Sequence, residues 1–459
     1  MKYHSEFQDI QVKRIRRLND NELKDGSFVV YWMQRAQRVE YNHALEFSVE
    51  KANEIGIPLV VLFCLTDDFP EGNSRHYRFM LEGLKETKDK LKDKDVNMVV
   101  RKGDVVEKVL EFSDEASILV TDSAYLDFLK GWRKRVSENI EIPMIEVETD
   151  LIVPIEEASL KEEYAARTIR PKINEKLNKY LKKLKKRSLK NRSLNLSFEG
   201  FDLSRDIDKI LSKIDIDKDK DVKTACDFKG GNTEAKKLLK KFIDNKLNNY
   251  PEHSNDPSKD SLSDMSPYLH FGQISPLYVA LKVKENYSNG IEEYLEQLII
   301  RRELAYNFVY YNDSYDSIDC LPEWAKKTLE NHREDEREYI YGVDEFENAA
   351  THDEYWNAAQ IEMIETGKMH GYMRMYWGKK ILEWSETPEK AYETALYLNN
   401  KYELDGRDAN GFAGVAWCFG KHDQGWKERK VYGKVRYMTA SGLERKFDIG
   451  KYVEKIKNL

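Results

Sequence analysis

The sequence predicts an α/β N-terminal domain built on a doubly wound parallel sheet, followed by an all-α C-terminal domain. Three observations carry this. In the first 150 residues short, apolar, β-branched segments alternate with amphipathic stretches. Beyond residue 200 strand-like segments almost vanish and helical periodicity takes over. At 459 residues the chain is too long for one hydrophobic core.

The strand segments are "SFVVYWM" (27–33), "IPLVVLFCL" (57–65), "VNMVVR" (96–101), "ASILVTD" (116–122) and "IPMIEVE" (142–148). Their unbroken apolar character predicts a sheet covered on both faces. Helices are expected between them, near 40–54, 77–92, 104–112 and 125–138. Such a sheet can bind a ligand at the carboxyl ends of its strands. There is no GxGxxG after the first strand and no GxxxxGK[ST], so a nucleotide fingerprint is missing. Residues 1–155 are read as the α/β domain, 156–200 as a basic helical connector over its surface, and 201–459 as the helical domain.

In the helical domain the pattern predicts helices over 234–247, 291–311, 353–367, 371–384 and 388–402, with long loops at 251–267, 312–322 and 403–434. The segment "GYMRMYWGKKILEW" (371–384) has no proline. Met373, Tyr376, Trp377, Lys380, Ile381 and Trp384 recur at three and four. Trp377 and Trp384 therefore share one face, about 10 Å apart along the axis. A core stripe is the ordinary reading of such a pattern.

Composition narrows the function. Hydrophobic residues make up 41% and charged residues 34%, and no apolar run approaches the roughly 20 residues that span a bilayer. The N-terminus has no apolar segment of a secretory signal. Cys64, Cys226, Cys320 and Cys418 lie far apart with no CxxC, which fits a reducing cytoplasm and no metal site. Net charge is −7, yet residues 172–192 hold ten Lys/Arg against one acid, and 421–459 hold eleven against five. Basic segments on an acidic chain point to a local polyanion site.

Three further stretches are unusual for a plain core. Ser261, Ser263 and Ser266 precede a proline-started helix, where hydroxyls and free N–H groups can hold phosphate or simply cap. Arg301 and Arg302 beside Glu303 in an apolar helix suggest either a buried or cleft-lining ion network or an ordinary i,i+4 surface pair. Residues 397–426 crowd Asn, Asp, Gly and Trp into an expected loop.

"DSLSDMSPYLHFGQIS", "KMHGYMRMYWGKKILEW", "YELDGRDANGFAG" and "HDQGWKERKVYGKVRYM" resemble segments of the class II cyclobutane pyrimidine dimer (CPD) DNA photolyases, as does "VVYWMQRAQRVEYNHAL" near the N-terminus. The resemblance runs from about residue 27 to 450. It implies the photolyase/cryptochrome fold, FAD in the helical domain, and UV-damaged DNA as partner. It implies light-driven repair, in which reduced flavin passes an electron to a dimer flipped out of the stack. It also implies roles for single residues. Trp377, Trp356 and Trp384 resemble an electron relay running from the flavin outward. Tyr250, Leu262, Ser263, Asp264, Met265 and Ser266 match segments that cradle the FAD diphosphate and ribose. Asn399 matches the asparagine facing flavin N5, and Arg374 with Asp405 a salt bridge beside the ring. Trp417 and Met375 match groups touching the flipped dimer. Lys427, Arg429, Lys430 and Arg436 lie in a block that would hold phosphates.

Two positions depart from the family. Gln297 stands where a dimer-binding glutamate is expected, so either repair is less efficient here or the neighbouring Glu296 or another group compensates. "RAQR" (35–38) stands where Arg-Asp-Gln-Arg is expected, which leaves open an antenna pigment such as the deazaflavin of relatives. The competing reading is a cryptochrome-like blue-light photoreceptor without repair activity; a (6-4) photolyase and a flavin-free binding protein are weaker alternatives. The expected state is a cytoplasmic monomer with no membrane association and no obligate protein partner.

Overall fold

The computed structural model of the chain describes residues 7–216, 222 and 228–459; Cys226 lies outside them. The described strands are β1 (Phe7–Gln8), β2 (Ile15–Arg17), β3 (Phe28–Trp32), β4 (Leu59–Leu65), β5 (Asn97–Lys102), β6 (Ala116–Asp122), β7 (Met144–Val147) and β8 (Lys183–Leu184). Six of them form one sheet in the order β2-β7-β6-β3-β4-β5. The five predicted strands are β3 to β7, all mutually parallel. Every residue of β3 and β6 is buried, as a sheet covered on both faces requires. The covering helices are α1 (His43–Ile55), α2 (Ser74–Lys92), α3 (Val105–Ser113) and α4 (Asp127–Asn139).

The sheet is not wholly parallel. β2 adds an antiparallel edge beside β7, and β1 pairs with β8 in a separate ribbon. Both escape the sequence pattern because their strands are only two or three residues long, and Arg16 and Arg17 of β2 also blunt its edge. The opposite edge, β5, is covered by the polar stretch after residue 190. Phe201 N–H donates to Val100 O at 2.6 Å and Asn97 Nδ2 to Leu196 O at 2.9 Å. Leu203, Ile210 and Ile214 then pack into the core shared by β3, β4, α1 and α2. The basic run is half helix. In α5 (Ala166–Tyr180) the apolar positions Ile169, Ile173 and Tyr180 are buried among residues of the helical part, not over the sheet.

The helical part comprises α6 (Asn232–Asn245), α7 (Pro276–Lys284), α8 (Arg302–Tyr311), α9 (Glu354–Thr366), α10 (Gly371–Trp384), α11 (Pro388–Tyr402), α12 (Ala409–Cys418) and α13 (Ile449–Lys457), with a further nine-residue helix at Glu323–Asn331 and shorter turns between. The helix expected over 291–311 is interrupted by a π-helical segment, Glu296–Arg301. The expected loop over 403–434 is a correction. Residues 409–418 form α12, whose first turn is capped by the Asp408 carboxylate accepting from Asn410 N–H. Two glycines hide this helix from its sequence, since each costs about 1 kcal/mol of helix propensity. One of them is needed for packing: a Cβ at Gly411 would stand 2.9 Å from Asn399 Nδ2, whereas one at Gly414 would meet nothing within 4 Å.

A buried ionic network joins the two parts. Arg35 Nε contacts Asp150 Oδ2 at 3.0 Å and its Nη2 contacts Asp408 Oδ1 at 3.1 Å. Arg38 Nη1 contacts Asp150 Oδ1 at 3.0 Å and donates to Gly272 O at 2.9 Å. Gly272 has φ +63°, and a Cβ there would strike Arg35 O at 1.8 Å. Arg302 donates to Asp150 O, while Tyr306 accepts from Arg35 and donates to Asp408. Of the expected cluster, Arg302 and Glu303 are buried and Arg301 is exposed.

Glu303 accepts from Ile152 N–H at 2.7 Å. Burial pushes its carboxyl up to about 8, and that of nearby Glu148 up to about 7. The folded state therefore holds protons that the unfolded chain releases. The stability tied to Glu303 is fully present below its ordinary value of 4.5 and is lost as pH rises through about 8. Glu303→Gln keeps an acceptor for Ile152 and cannot ionise. It should raise the thermal midpoint relative to the native chain at alkaline pH by a few degrees, with little or no gain in acid; a melting series across pH measures this.

Candidate active site

α10, α11 and the turn after α11 bring Arg374, Asn399, Glu403 and Asp405 together. Arg374 Nη2 lies 3.0 Å from Glu403 Oε2 and 3.6 Å from Asp405 Oδ1. The expected Arg374–Asp405 pair is thus a shared arrangement, with Glu403 nearer. Burial raises the Glu403 carboxyl well above its ordinary range, and the Asp405 charge adds to this. Burial also opposes charge on Asp405, but the Arg374 guanidinium and hydrogen bonds from Ser266 and Glu403 prevail and lower it. One cation thus faces two carboxyl groups whose acidities the site moves in opposite directions. Sequence reasoning passed over Glu403, although it stands two residues before Asp405 in "YELDGRD".

Asn399 is buried, and its Nδ2 donates to Asn400 Oδ1 at 3.2 Å. Its Oδ1 has no partner, nor has the buried Arg374 Nε. Buried polar atoms of this kind are normally satisfied. An acceptor and a donor left open beside a fixed cation fit a polar, anion-tolerant heterocycle such as a reduced flavin.

The segment before the short helix Ser266–His270 adjoins this cluster. Leu262 O accepts from Lys246 Nζ at 3.2 Å, and Ser263 Oγ accepts from Met265 N–H at 3.4 Å. Asp264 adopts φ +57° and pairs with Lys368. Met265 is buried, and Ser266 bonds Asp405. Tyr250 is held edge-on against Phe242 and Tyr294, at 5.7 and 5.5 Å between ring centres. Ser261 is tied back to His253 O at 2.9 Å, away from a phosphate role. Lys246 and Lys368 are cations at this segment that the sequence reading did not pick out.

One turn beyond Arg374 on α10 stands Trp377. Trp356 of α9 stacks on it, with ring centres 6.4 Å apart and planes 8° from parallel. Trp384 lies 6.3 Å from Trp356, edge to face. All three are buried. Both inner indole N–H groups are satisfied: Trp356 donates to Trp377 O at 3.0 Å and Trp377 to Gln360 Oε1 at 2.8 Å. Beyond Trp384, Tyr341 and His352 approach to 5.9 and 4.8 Å.

Met375 and Trp417 are both half-buried, on α10 and α12. Residues 426–434 fold back as a hairpin: Trp426 N–H donates to Lys434 O and Arg429 N–H to Gly433 O. Lys427, Arg429 and Lys430 are exposed on it. Lys430 pairs with Glu336 at 3.2 Å, and the Arg429 guanidinium lies 3.6 Å from the Tyr437 ring centre. Arg436 is half-buried, 5.7 Å from the Trp417 ring and 4.8 Å from that of Trp426. Gln297 is exposed on the π-helical segment. Glu296 is engaged by Arg170 at 2.7 Å, so it is not free to replace a missing carboxyl at 297.

A second cavity opens at the carboxyl ends of β3 and β4, lined by Trp32, Gln34, Cys64, Thr66, Trp132 and Arg407 among others. Arg407 has φ +61°, and burial pushes it down to about 10. Among the described residues no His, Cys, Asp or Glu group is set to hold a metal, and no helix is long and apolar enough to cross a membrane.

The family description "DNA photolyase" matches residues 29–190. The chain is 51% identical over 451 residues to the deoxyribodipyrimidine photo-lyase of Methanothermobacter thermautotrophicus, covering 98% of this chain and 99% of that protein. It is 41% identical over 452 residues to the Arabidopsis thaliana protein of the same name, covering 94% and 89%. Among solved structures, a photolyase from Sulfolobus tokodaii with two FAD molecules superposes with TM-score 0.68 at 16% identity, over 93% of this chain and 89% of that one. A cryptochrome from Synechocystis gives 0.71 at 14% identity, over 95% and 91%. At such low identity the structures speak for the fold alone. Identity extending through nearly the whole length of two relatives speaks for descent, and the chain belongs to the DNA photolyase family.

Proposed function

We propose that this chain is a deoxyribodipyrimidine photo-lyase of class II, which uses FAD and light to split cyclobutane pyrimidine dimers in DNA. The observation that carries this is its 51% identity, nearly end to end, to a protein of that name. Bound FAD would supply the excited electron donor; the residues of the chain bind, orient and insulate. Arg374 favours negative charge beside the ring, and Asn399 offers its open Oδ1. Lys246, Lys368 and residues 262–266 suit the diphosphate side. Trp377, Trp356 and Trp384 are read as the relay that restores the reduced state, supported by their near-contact spacing and fixed N–H groups.

On the DNA side, Trp417 and Met375 would receive the flipped dimer, because an aromatic face stacks on a pyrimidine in any sequence context. Gln297 would offer its amide to the dimer carbonyls. Lys427, Arg429, Lys430 and Arg436 would serve phosphates, Arg436 also fixing the two indoles it faces. The cavity beside Trp32 and Trp132 is the place for an antenna pigment, and its aromatic lining supports a planar one such as a deazaflavin. The two domains are read as an antenna-type and a FAD-binding part. We set the divide near residue 216 and not 200, since Leu203, Ile210 and Ile214 pack with the sheet. A cytoplasmic monomer completes the reading; the free thiols Cys64, Cys320 and Cys418 suit that compartment.

The direct test is loss of thymine dimers from an oligonucleotide under blue light by purified, flavin-loaded protein. Light-dependent loss is expected; flavin without repair would mark a photoreceptor instead. Trp377→Phe should abolish photoreduction of the flavin by external thiol and leave repair intact once the flavin is reduced chemically. Unchanged photoreduction would exclude the relay. Lys427→Ala and Lys430→Ala should weaken binding of damaged and intact DNA alike, each lowering the salt slope by about one. A change confined to lesion preference would refute the phosphate role.

A further inference from the structure

Lys379 is fully buried on α10, and nothing above gives it work. Burying an ammonium is costly unless its bonds are met. Here Nζ donates to Cys418 O at 2.6 Å and lies 3.4 Å from Trp417 O, at the carboxyl end of α12. A cation is favoured there by the helix dipole. Nζ also stands 4.8 Å from the centre of the Trp417 ring, within the range of a cation–π contact. The backbones are close at this point: a Cβ at the preceding Gly378 would come within 2.7 Å of Cys418 Sγ. An ordinary C-cap needs the carbonyl bond alone. This lysine holds the carbonyl of the residue after Trp417 and the indole of Trp417 itself, from the helix that carries Arg374 and Trp377.

We propose that Lys379 is a positioning residue for lesion recognition: its ammonium fixes the Trp417 indole as the platform on which the flipped dimer stacks. This rests on the reading of Trp417 given above. Lys379 touches no DNA and acts only through Trp417.

The charged and titratable groups facing it are few. Asp423 in the loop after α12 favours its charge, and Arg436 across the indole opposes it. Tyr432 donates to the Lys379 backbone carbonyl at 2.9 Å and lies 3.2 Å from Glu383. Cys418 is pushed up to about 11 by burial and stays a thiol near neutrality. Burial pushes Lys379 itself down to about 8. Above that pH the amine keeps a hydrogen bond to the carbonyl but loses its attraction for the ring.

The test compares dark binding of the flavin-loaded protein to dimer-containing and intact DNA. Stacking on one base is worth roughly 1–3 kcal/mol, so Lys379→Met should lower the damaged-to-intact affinity ratio about tenfold. Affinity for intact DNA and flavin content should not change. Trp417→Ala should lose the ratio as well, and the double variant should lose no more than Trp417→Ala. In the native protein the ratio should fall as pH rises from about 7 to about 9, and in Lys379→Met it should stay flat. A Lys379→Met that keeps the ratio beside a Trp417→Ala that has lost it overturns the positioning role. A Trp417→Ala that keeps the ratio overturns the reading of Trp417 and the inference with it. Should Lys379→Met fail to fold, the native pH profile decides: a ratio constant over that range overturns the proposal.

Discussion

The contact on which the remainder depends is the pair of guanidinium groups, Arg35 and Arg38, closed on Asp150 in the interior. Asp150 holds both, and Arg35 reaches on to Asp408 and Tyr306. Every member is buried. Such a network adds little stability over an apolar core, but removing one member strands a charge at a cost of roughly 3–5 kcal/mol. Its effect is geometric. Asp408 is at once the partner of Arg35 and the cap of α12. The start of α12 is thereby fixed against the sheet, and with it Gly411 beside Asn399. At the far end of the same helix stands Trp417.

The "RAQR" turn belongs to the same arrangement. Ala36 is fully buried, and its N–H, like those of Gln34 and Arg35, donates to the Asp122 carboxylate at the end of β6. The two arginines that flank Ala36 hold the domains together whatever occupies the neighbouring cavity.

α10 divides its labour by face. Trp377 and Trp384 pack against Trp356 of α9, while Gly378 and Lys379 meet the end of α12. The tryptophan stripe was legible in the sequence because a period of three and four survives any tertiary context. So were the five central strands, whose burial on both faces leaves no polar interruption. α12 was not legible: its two glycines weaken the helical signal, and the close approach of Gly411 to Asn399 that calls for one of them leaves no periodic mark. Glu403 and Lys379 were missed for a related reason. Each is an ionisable residue that reads as a surface charge until a partner from elsewhere in the chain, Arg374 or the Cys418 carbonyl, makes its burial tolerable.

The same reasoning separates two kinds of positive charge. Arg374 lies 3.0 Å from one carboxyl and 3.6 Å from another, so its charge is compensated locally before a ligand enters. Its field is therefore short-ranged and acts on what lies against it. Lys427, Arg429 and Lys430 stand in solvent on a hairpin, where each acts over about one Debye length, roughly 8 Å at physiological salt. Charge of the first kind sets the electronic preference of a bound group and is indifferent to salt. On the proposed reading, charge of the second kind gathers a polyanion onto a molecule whose net charge, −7, would otherwise repel it. A chain that must both tune a buried heterocycle and hold a phosphate backbone needs both, and the basic hairpin begins only eight residues after the buried end of α12.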